Sequence, residues 1–565
     1  MLPSSSVGSQ DSEGKEAAPP ASTNLLPADQ KSTPTKSLES SVDSKKEKQK
    51  SDKKRPNEDL EDRAPLSIWN PKSARFQFSM LLLLVCFANT LTQNTISMAI
   101  VCMVNSTALA SVREANRSGE IVDENRTIAQ VGDGCTGLDE DVTQYEGPLV
   151  WASREKGIAL SAIYWGGLVT ALPVGYFADA YSPKWIIAAC LALSSVACLL
   201  TPVAAVYGDL IAVFFVRFLM GFAGQATLYP TLSAMSAKWI PPSDRSTCLA
   251  LYTTGIQIAL VMGTPLNAFL CQQTHFLGGW PSIFYTAGLI CLLILAIWLV
   301  FAADKPRKYK WMQRDELRYI RRSLAEQHLK KRVNWRSIPL KQMLLSVPLW
   351  ATLSGHFSLS FMAAALHQYV PSYFKQVLRM NLRKNGLYSA LPFVFQIMGK
   401  AVSAPIADRM RSKKVLTPTG ICKLFNSVGS FATSTFLIAT AYMTCTEVTA
   451  AIAFMVTSCF FYPFHLSGFA TSSTSMAPAY TGIVNALGRF WGQIGAVITP
   501  LVVAALTPNE SSDEWRAVFW LMAVLLAVAG FLFLVFGSAE IQSWAMKKDD
   551  QASPGSSSES PDFAQ

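Results

Sequence analysis

Apolar residues along this chain collect in long unbroken runs, of which Phe78–Val104, Trp185–Val206, Phe284–Ala302 and Val518–Phe536 are the clearest. Each is close to the ~20 residues that an α-helix needs to cross a hydrocarbon core, whereas a strand needs only about 9–11. In lipid, every backbone N–H and C=O must find its partner within a helix or a closed barrel. Runs of this length therefore predict membrane-spanning helices. The pattern continues along the chain and predicts spans over 77–104, 154–178, 184–206, 209–237, 246–270 and 281–303, then over 347–374, 384–407, 414–441, 449–474, 479–506 and 516–537. That is an all-α membrane protein of 12 transmembrane helices in two six-helix halves.

The polar segments divide the chain. Residues 1–75 are rich in Ser, Lys and Pro and lack the apolar core of a signal peptide. Such a composition buries too little surface to offset chain entropy, so a disordered tail is expected there, and another from about Lys547 to Gln565, within a cytoplasmic C-terminal tail over 538–565. The N-terminal half is 76–303 and the C-terminal half 347–537. Between them, 304–346 is strongly basic, with Arg307, Lys308, Arg321, Arg322, Lys330 and Lys331 among its cations. Basic loops stay on the cytoplasmic side. The loop 105–152 is acidic instead, and carries the sequons Asn105, Asn116 and Asn125; another, Asn509, precedes the last span. Glycosylation needs a lumenal or extracellular face. Charge, sequons and span parity all place both termini in the cytoplasm, in a multi-pass protein of the plasma membrane or of a vesicle.

Composition agrees. Only 16% of residues are charged, against about 25% in soluble domains. The net charge of +10 is concentrated beside the spans, which points to a lipid bilayer and not to nucleic acid. Most of the 11 cysteines, such as Cys190, Cys198, Cys291 and Cys459, lie within apolar runs and read as packing residues. Cys135, Cys271 and Cys445 fall in loops on the outer side, where a disulfide between two of them is open. No metal spacing and no nucleophile–base arrangement is visible, so neither an enzyme nor a bound cofactor is expected.

Two loops repeat. After the second span, Gly175 is followed by Asp179 and then Lys184; after the eighth, Ser403 is followed by Asp408 and Arg409. A carboxylate at a span end can pair with cations or helix N-termini nearby, so Asp179, Lys184, Asp408 and Arg409 are candidate gate residues. Repeated halves fit a carrier that rocks about a midplane site.

These loops resemble the G-x-x-x-D-…-[RK] motif of the major facilitator superfamily. Arg217, Gly221, Gly224, Tyr229-Pro230, Lys238-Trp239 and Asp244-Arg245 in the first half, and His356-Phe357, Arg379, Asn381, Asn385-Gly386, Pro392 and Glu514-Trp515 in the second, are similar to the anion:cation symporter family, which includes sodium–phosphate cotransporters, sialin and vesicular glutamate transporters. The likeness covers 76–545. It implies the superfamily fold, alternating access, and a small anionic substrate of phosphate or carboxylate class, coupled to Na⁺ or H⁺ in a monomer. A vesicular glutamate, sialate or nucleotide carrier, and a non-transporting anion receptor on the same fold, are the competing readings.

Arg217, in the apolar fourth span, is the foremost substrate candidate, matching the family's binding arginine. A mid-span arginine costs about 2.5–3.5 kcal/mol to insert, and its planar fork suits carboxylate or phosphate oxygens. Arg489 lies in the glycine-rich eleventh span, and His356 in the seventh, at the pH-sensitive position of imidazole chemistry. Tyr164 and Asn94 are polar groups within the second and first spans. His367 and His465 are weaker candidates. The chain departs from sialin and the glutamate carriers: Gln93 replaces their first-span arginine, and Ala223, Gly224 and Gln225 supply no acid after Arg217. Leu359 and Leu160 stand where the glutamate carriers have arginine and histidine. Fewer cations and no coupling acid tip the expectation toward a Na⁺-linked phosphate or organic-anion carrier.

The outer placement of 105–152 predicts glycan on Asn105, Asn116 or Asn125. Endoglycosidase treatment of cell-expressed protein should raise its gel mobility; unchanged mobility would remove the biochemical support for this topology.

Overall fold

The computed structural model describes residues 69–105, 108–109, 147–171, 182–224, 229–241, 244–273, 278–309, 311–328, 339–478 and 480–545. The helices are α1 (Ala74–Met103), α2 (Ser153–Thr170), α3 (Pro183–Tyr207), α4 (Asp209–Ala223), α5 (Tyr229–Trp239), α6 (Arg245–Gln272), α7 (Trp280–Phe301), α8 (Arg314–His328), α9 (Leu340–Leu344), α10 (Val347–Gln376), α11 (Leu382–Tyr388), α12 (Leu391–Ser412), α13 (Pro418–Ala441), α14 (Val448–Ser475), α15 (Thr481–Leu506) and α16 (Ser512–Phe536). Proline opens α3, α7, α10, α12 and α13 in the first turn, where its missing N–H is not needed. A reciprocal Ser511–Glu514 capping box starts α16.

Among the described residues, 10 helices are long and apolar enough to cross a membrane. Of the remaining two expected spans, 154–178 and 209–237, the described residues cover α2 (Ser153–Thr170) for the second, and α4 (Asp209–Ala223) with α5 (Tyr229–Trp239) for the fourth; residues 172–178 and 225–228 lie outside the described ones. Proposed gate residue Asp179, sequons Asn116 and Asn125, Cys135, and most of both tails lie outside the described residues.

The helices alternate in direction between two ends. One is the linker side, where α8 and α9 connect the halves. The other is the far side. On the linker side, α8 is fastened to the N-terminal half by a buried ionic cluster. The Glu316 carboxylate accepts hydrogen bonds from Ser73 Oγ (2.6 Å), the Ala74 amide (2.9 Å) and Arg75 Nε (3.0 Å). Arg75 also pairs with Asp244, just before α6, and lies over the Tyr319 ring. The basic linker is thus anchored through one of its few acids.

On the far side the two halves meet. Lys156 Nζ of α2 pairs with Glu510 Oε1 at 2.7 Å, and Gln376 of α10 donates to the other Glu510 oxygen at 2.6 Å. Trp515 Nε1 donates to Gln376 (2.9 Å), Ser153 meets Thr507 (3.3 Å), and Lys375 Nζ donates to the Val101 carbonyl (2.7 Å). Gly157 sits so close to Ala504 and Pro500 that a side chain there would collide with them, and Gly386 touches Ala268 in the same way. Deeper in, Gln368 donates to the Leu160 carbonyl (3.2 Å) and Gln493 to the Tyr164 carbonyl (3.1 Å). The polar contacts between halves named here all lie between the far side and mid-depth.

Two of the three outer-side cysteines are disulfide-bonded. Cys271 does form a disulfide, but with Cys102, inside the first apolar run. Cys445 is disulfide-bonded as well. Seven cysteines, including Cys190, Cys198, Cys291 and Cys459, are free and buried.

Three outcomes follow from these contacts. Arg75→Ala leaves the buried Glu316 carboxylate without its cation and should cost ~3–5 kcal/mol of stability. Burial alone raises the Glu316 pKa, but the hydrogen bonds from Ser73, Ala74 and Arg75 prevail and hold it below the usual carboxylate range. A lowered carboxylate contributes stability in full above its unfolded value of about 4.3 and loses it as pH falls through the folded value. Thermal melts of Glu316→Gln should therefore lose less with acidification below about pH 4.3 than those of the parent protein; parallel acid limbs would contradict this. On the far side, Lys156→Ala and Glu510→Ala should couple by ~0.5–3 kcal/mol in a double-mutant cycle of detergent stability. Additive effects would show that the pair does not hold the halves together.

Candidate functional site

Arg217 is 1% exposed, and what holds it is backbone packing. Side chains added at Gly166 of α2 or Gly221 of α4 would collide with the Phe218 and Ile163 carbonyls of the facing helix. Small residues thus let α2 and α4 touch, as they do between membrane helices generally, and Arg217 is directed toward α1. Its Nη2 donates to the Gln93 carbonyl at 3.0 Å, and Nη1 meets Met220 Sδ at 3.6 Å. Its Nε has no partner. Tyr164 and Cys198 lie close enough to feel its charge. Among the described residues no carboxylate pairs with it.

The absence of acid extends across the interior. In the described spans, Asp and Glu occur only near helix ends: Glu155, Asp209, Asp408, Asp513 and Glu514. Cations do occur at depth, namely Arg217, Arg489 and Lys400. Lys400, in the middle of α12, was not singled out from the sequence, although a lysine within an apolar run carries the same signal as Arg217. No group of His, Cys, Asp and Glu among the described residues is placed to hold a metal ion.

The other candidates separate into two levels. At 1.5 Å per residue, Arg217 lies about 12 Å, Asn94 about 14 Å and Tyr164 about 16 Å from the far-side ends of their helices. Asn94 is half-buried and donates to the Thr90 carbonyl at 3.0 Å. Tyr164 is buried, and its carbonyl receives Gln493 from the other half. By the same measure, Arg489 lies about 12 Å and His356 about 14 Å from the linker-side ends of α15 and α10. Arg489 is exposed and close enough to His356 for their charges to interact. The His356 ring presses on Gly488 and the edge of Phe469, and its Nε2 has no hydrogen-bond partner. His465 is a packing group, with Nδ1 on Ser430 Oγ at 2.8 Å.

The described gate candidates, Lys184, Asp408 and Arg409, make no ion pair between the halves among the described residues. Asp408 is exposed and meets Arg411 of its own helix at 3.2 Å. Lys184 donates to the Leu299 carbonyl at 3.0 Å, within the N-terminal half. Of the sequons, Asn105 closes α1 and accepts from the Ala108 amide at 2.7 Å; Asn509 is exposed and donates to Glu514 at 2.9 Å.

The architecture is shared with solved transporters. A bacterial homologue of the human lysosomal transporter Spinster, in an inward-facing and occupied conformation, matches with a TM-score of 0.56 at 13% identity, over 82% of this chain and 96% of that one. An uncharacterized transporter of Caenorhabditis elegans is 32% identical over 498 residues, 86% of this chain and 92% of that protein. A putative inorganic phosphate cotransporter of Drosophila melanogaster is 30% identical over 481 residues, 84% of this chain and 87% of the relative. The family model for the Major Facilitator Superfamily matches residues 82–500. With the family model covering most of its length and relatives at 30% identity or more matched over more than four-fifths of the chain, the chain belongs to the major facilitator superfamily and, within it, to the anion:cation symporter family.

Proposed function

We propose that this protein is a secondary active transporter of a small anion of phosphate or carboxylate class, working by alternating access. The observation that carries this reading is Arg217: a buried guanidinium with an unpartnered Nε and no counter-ion among the described residues. A charge at that depth is retained where it serves a pathway or ligand, and a guanidinium fork matches two oxygens of a carboxylate or phosphate. The similarity to a putative inorganic phosphate cotransporter supports the substrate class. A coupling cation, Na⁺ or H⁺, completes the cycle, and an interior without mid-span acids favours Na⁺.

The linker side faces the cytoplasm in this reading, because its loops carry the basic residues. The conformation is then the inward-facing one. The far-side seal of Lys156, Glu510, Gln376 and Ser153 closes the outside, while Asp408 stands away from the opposite half. Anion enters or leaves past the exposed Arg489 and reaches Arg217 at mid-depth. Reversal of the cycle breaks the seal and brings the cytoplasmic ends together.

The test is uptake of radiolabelled phosphate, urate, glutamate, sialate and ATP into proteoliposomes under imposed Na⁺ or H⁺ gradients. Arg217→Lys keeps the charge but loses the fork. For the anion that the parent protein carries, kcat/KM should fall about 10–100-fold, the worth of one charged hydrogen bond. Undiminished uptake by Arg217→Lys and Arg217→Ala protein, at equal abundance, would remove Arg217 from the site. Binding without net flux would identify a receptor on this fold.

A further inference from the structure

The anion reading assigns the N-terminal half a charge, Arg217, but leaves Lys400 of α12 unused. Lys400 lies about 14 Å from the start of its helix, counted at 1.5 Å per residue, and so at a depth comparable to Arg217. α12 presents three faces. Gly399 and Ser403 pack on α14, through the Phe460 carbonyl and Ser467. Met398, Val402 and Ile406 are exposed, as on a lipid-facing surface. Lys400 belongs to the third face, in line with Phe393 two turns away, and the Phe393 ring contacts His367 of α10 at 5.5 Å. Lys400 is half-buried and near enough to His367 for its charge to act there. Among the described residues, its ammonium has no hydrogen-bond or ion-pair partner.

A lysine at mid-span carries an insertion cost of the same order as arginine, about 2.5–3.5 kcal/mol. Lys400 lacks the usual compensation of a carboxylate, and it sits on the opposite half from Arg217. We infer that Lys400 is the C-terminal half's anion-binding group, so that the transported anion is held between one cation from each half. This rests on the anion-carrier reading and deepens it. It also gives the ligand a differential grip on the two states. In the empty carrier, like charges on facing halves oppose closure around the site. A bound anion removes that repulsion, and only such a difference between states lets a ligand shift the equilibrium. Lys400 would act as a point charge and Arg217 as a fork, leaving orientation to Arg217 and affinity to both.

Lys400→Met tests this, because methionine keeps the length and apolar stem while removing the buried charge. The variant should fold, with a melting temperature equal to or above that of the parent. For radiolabelled phosphate, urate, glutamate and sialate measured in turn, KM of each anion that the parent carries should rise at least about tenfold, the loss of ~1.4 kcal/mol of charge interaction, with kcat changed less. Lys400→Arg should restore most of the affinity. KM within twofold of the parent in Lys400→Met overturns the inference, as does a loss confined to kcat or a KM defect that Lys400→Arg leaves in place. If the parent protein itself moves none of these anions, the carrier reading has failed, which is a separate result from failure of Lys400 alone.

Discussion

A positive charge in the low-dielectric interior, with no acid to answer it, is the constraint around which this fold is arranged. The Gln93 carbonyl and the Met220 sulfur meet two of the Arg217 nitrogens, but neither carries charge. Hydrogen bonding lowers the cost of burying a guanidinium without neutralising it. α2 and α4 make the position rigid: glycine at 166 and 221 brings the helix backbones into contact beside Arg217. The side chain therefore has little room to snorkel to an interface. In the anion-carrier reading proposed above, such a rigid, under-compensated cation is preorganised for an anion, since its desolvation is met by the fold before any ligand arrives.

The same region ties the site to the movement of the halves. Gln493 reaches the Tyr164 carbonyl from the C-terminal half, and Gln368 reaches Leu160 one turn away. Tyr164 in turn lies within the field of Arg217. A rocking motion that opens the far side must break these two side-chain-to-backbone bonds along with the Lys156–Glu510 pair. The contacts that close the far side thus begin within a helical turn or two of Arg217, and coupling this charge to the movement of the halves requires no long-range relay. On the linker side, the Arg75–Glu316–Asp244 cluster fixes α8 to the N-terminal half alone, so the connection can move with that half while the other turns.

How much of this was legible in the sequence depends on the scale of each feature. Span positions and the two halves follow from apolar runs, because the bilayer imposes a length on every helix. Arg217 was legible for the same reason: one charge in an otherwise apolar run stands out. Lys400 gave that signal too, but a lysine stem can reach an interface from several turns away, and only the faces of α12 show that this one does not point to lipid. The pairing of Cys102 with Cys271 was not legible. Cys102 lies inside an apolar run, where a thiol reads as packing, and its partner is 169 residues away.

The separation of the candidate residues into two depths changes their meaning. Along the chain, Arg489 and His356 follow Arg217 as candidates, since all three are polar groups within spans. In space, Arg489 is exposed and about 12 Å from the linker-side end of its helix, while Arg217 is buried and about 12 Å from the far-side end of its own. A charge open to water is screened and binds weakly, but it raises the local concentration of counter-ions in a cleft with low-dielectric walls. A buried charge is little screened. In the anion-carrier reading proposed above, the two act in series, as a graded path in which attraction strengthens with burial. An acid placed midway would interrupt that gradient by pairing with one of the cations, and the described spans keep their acids near the helix ends.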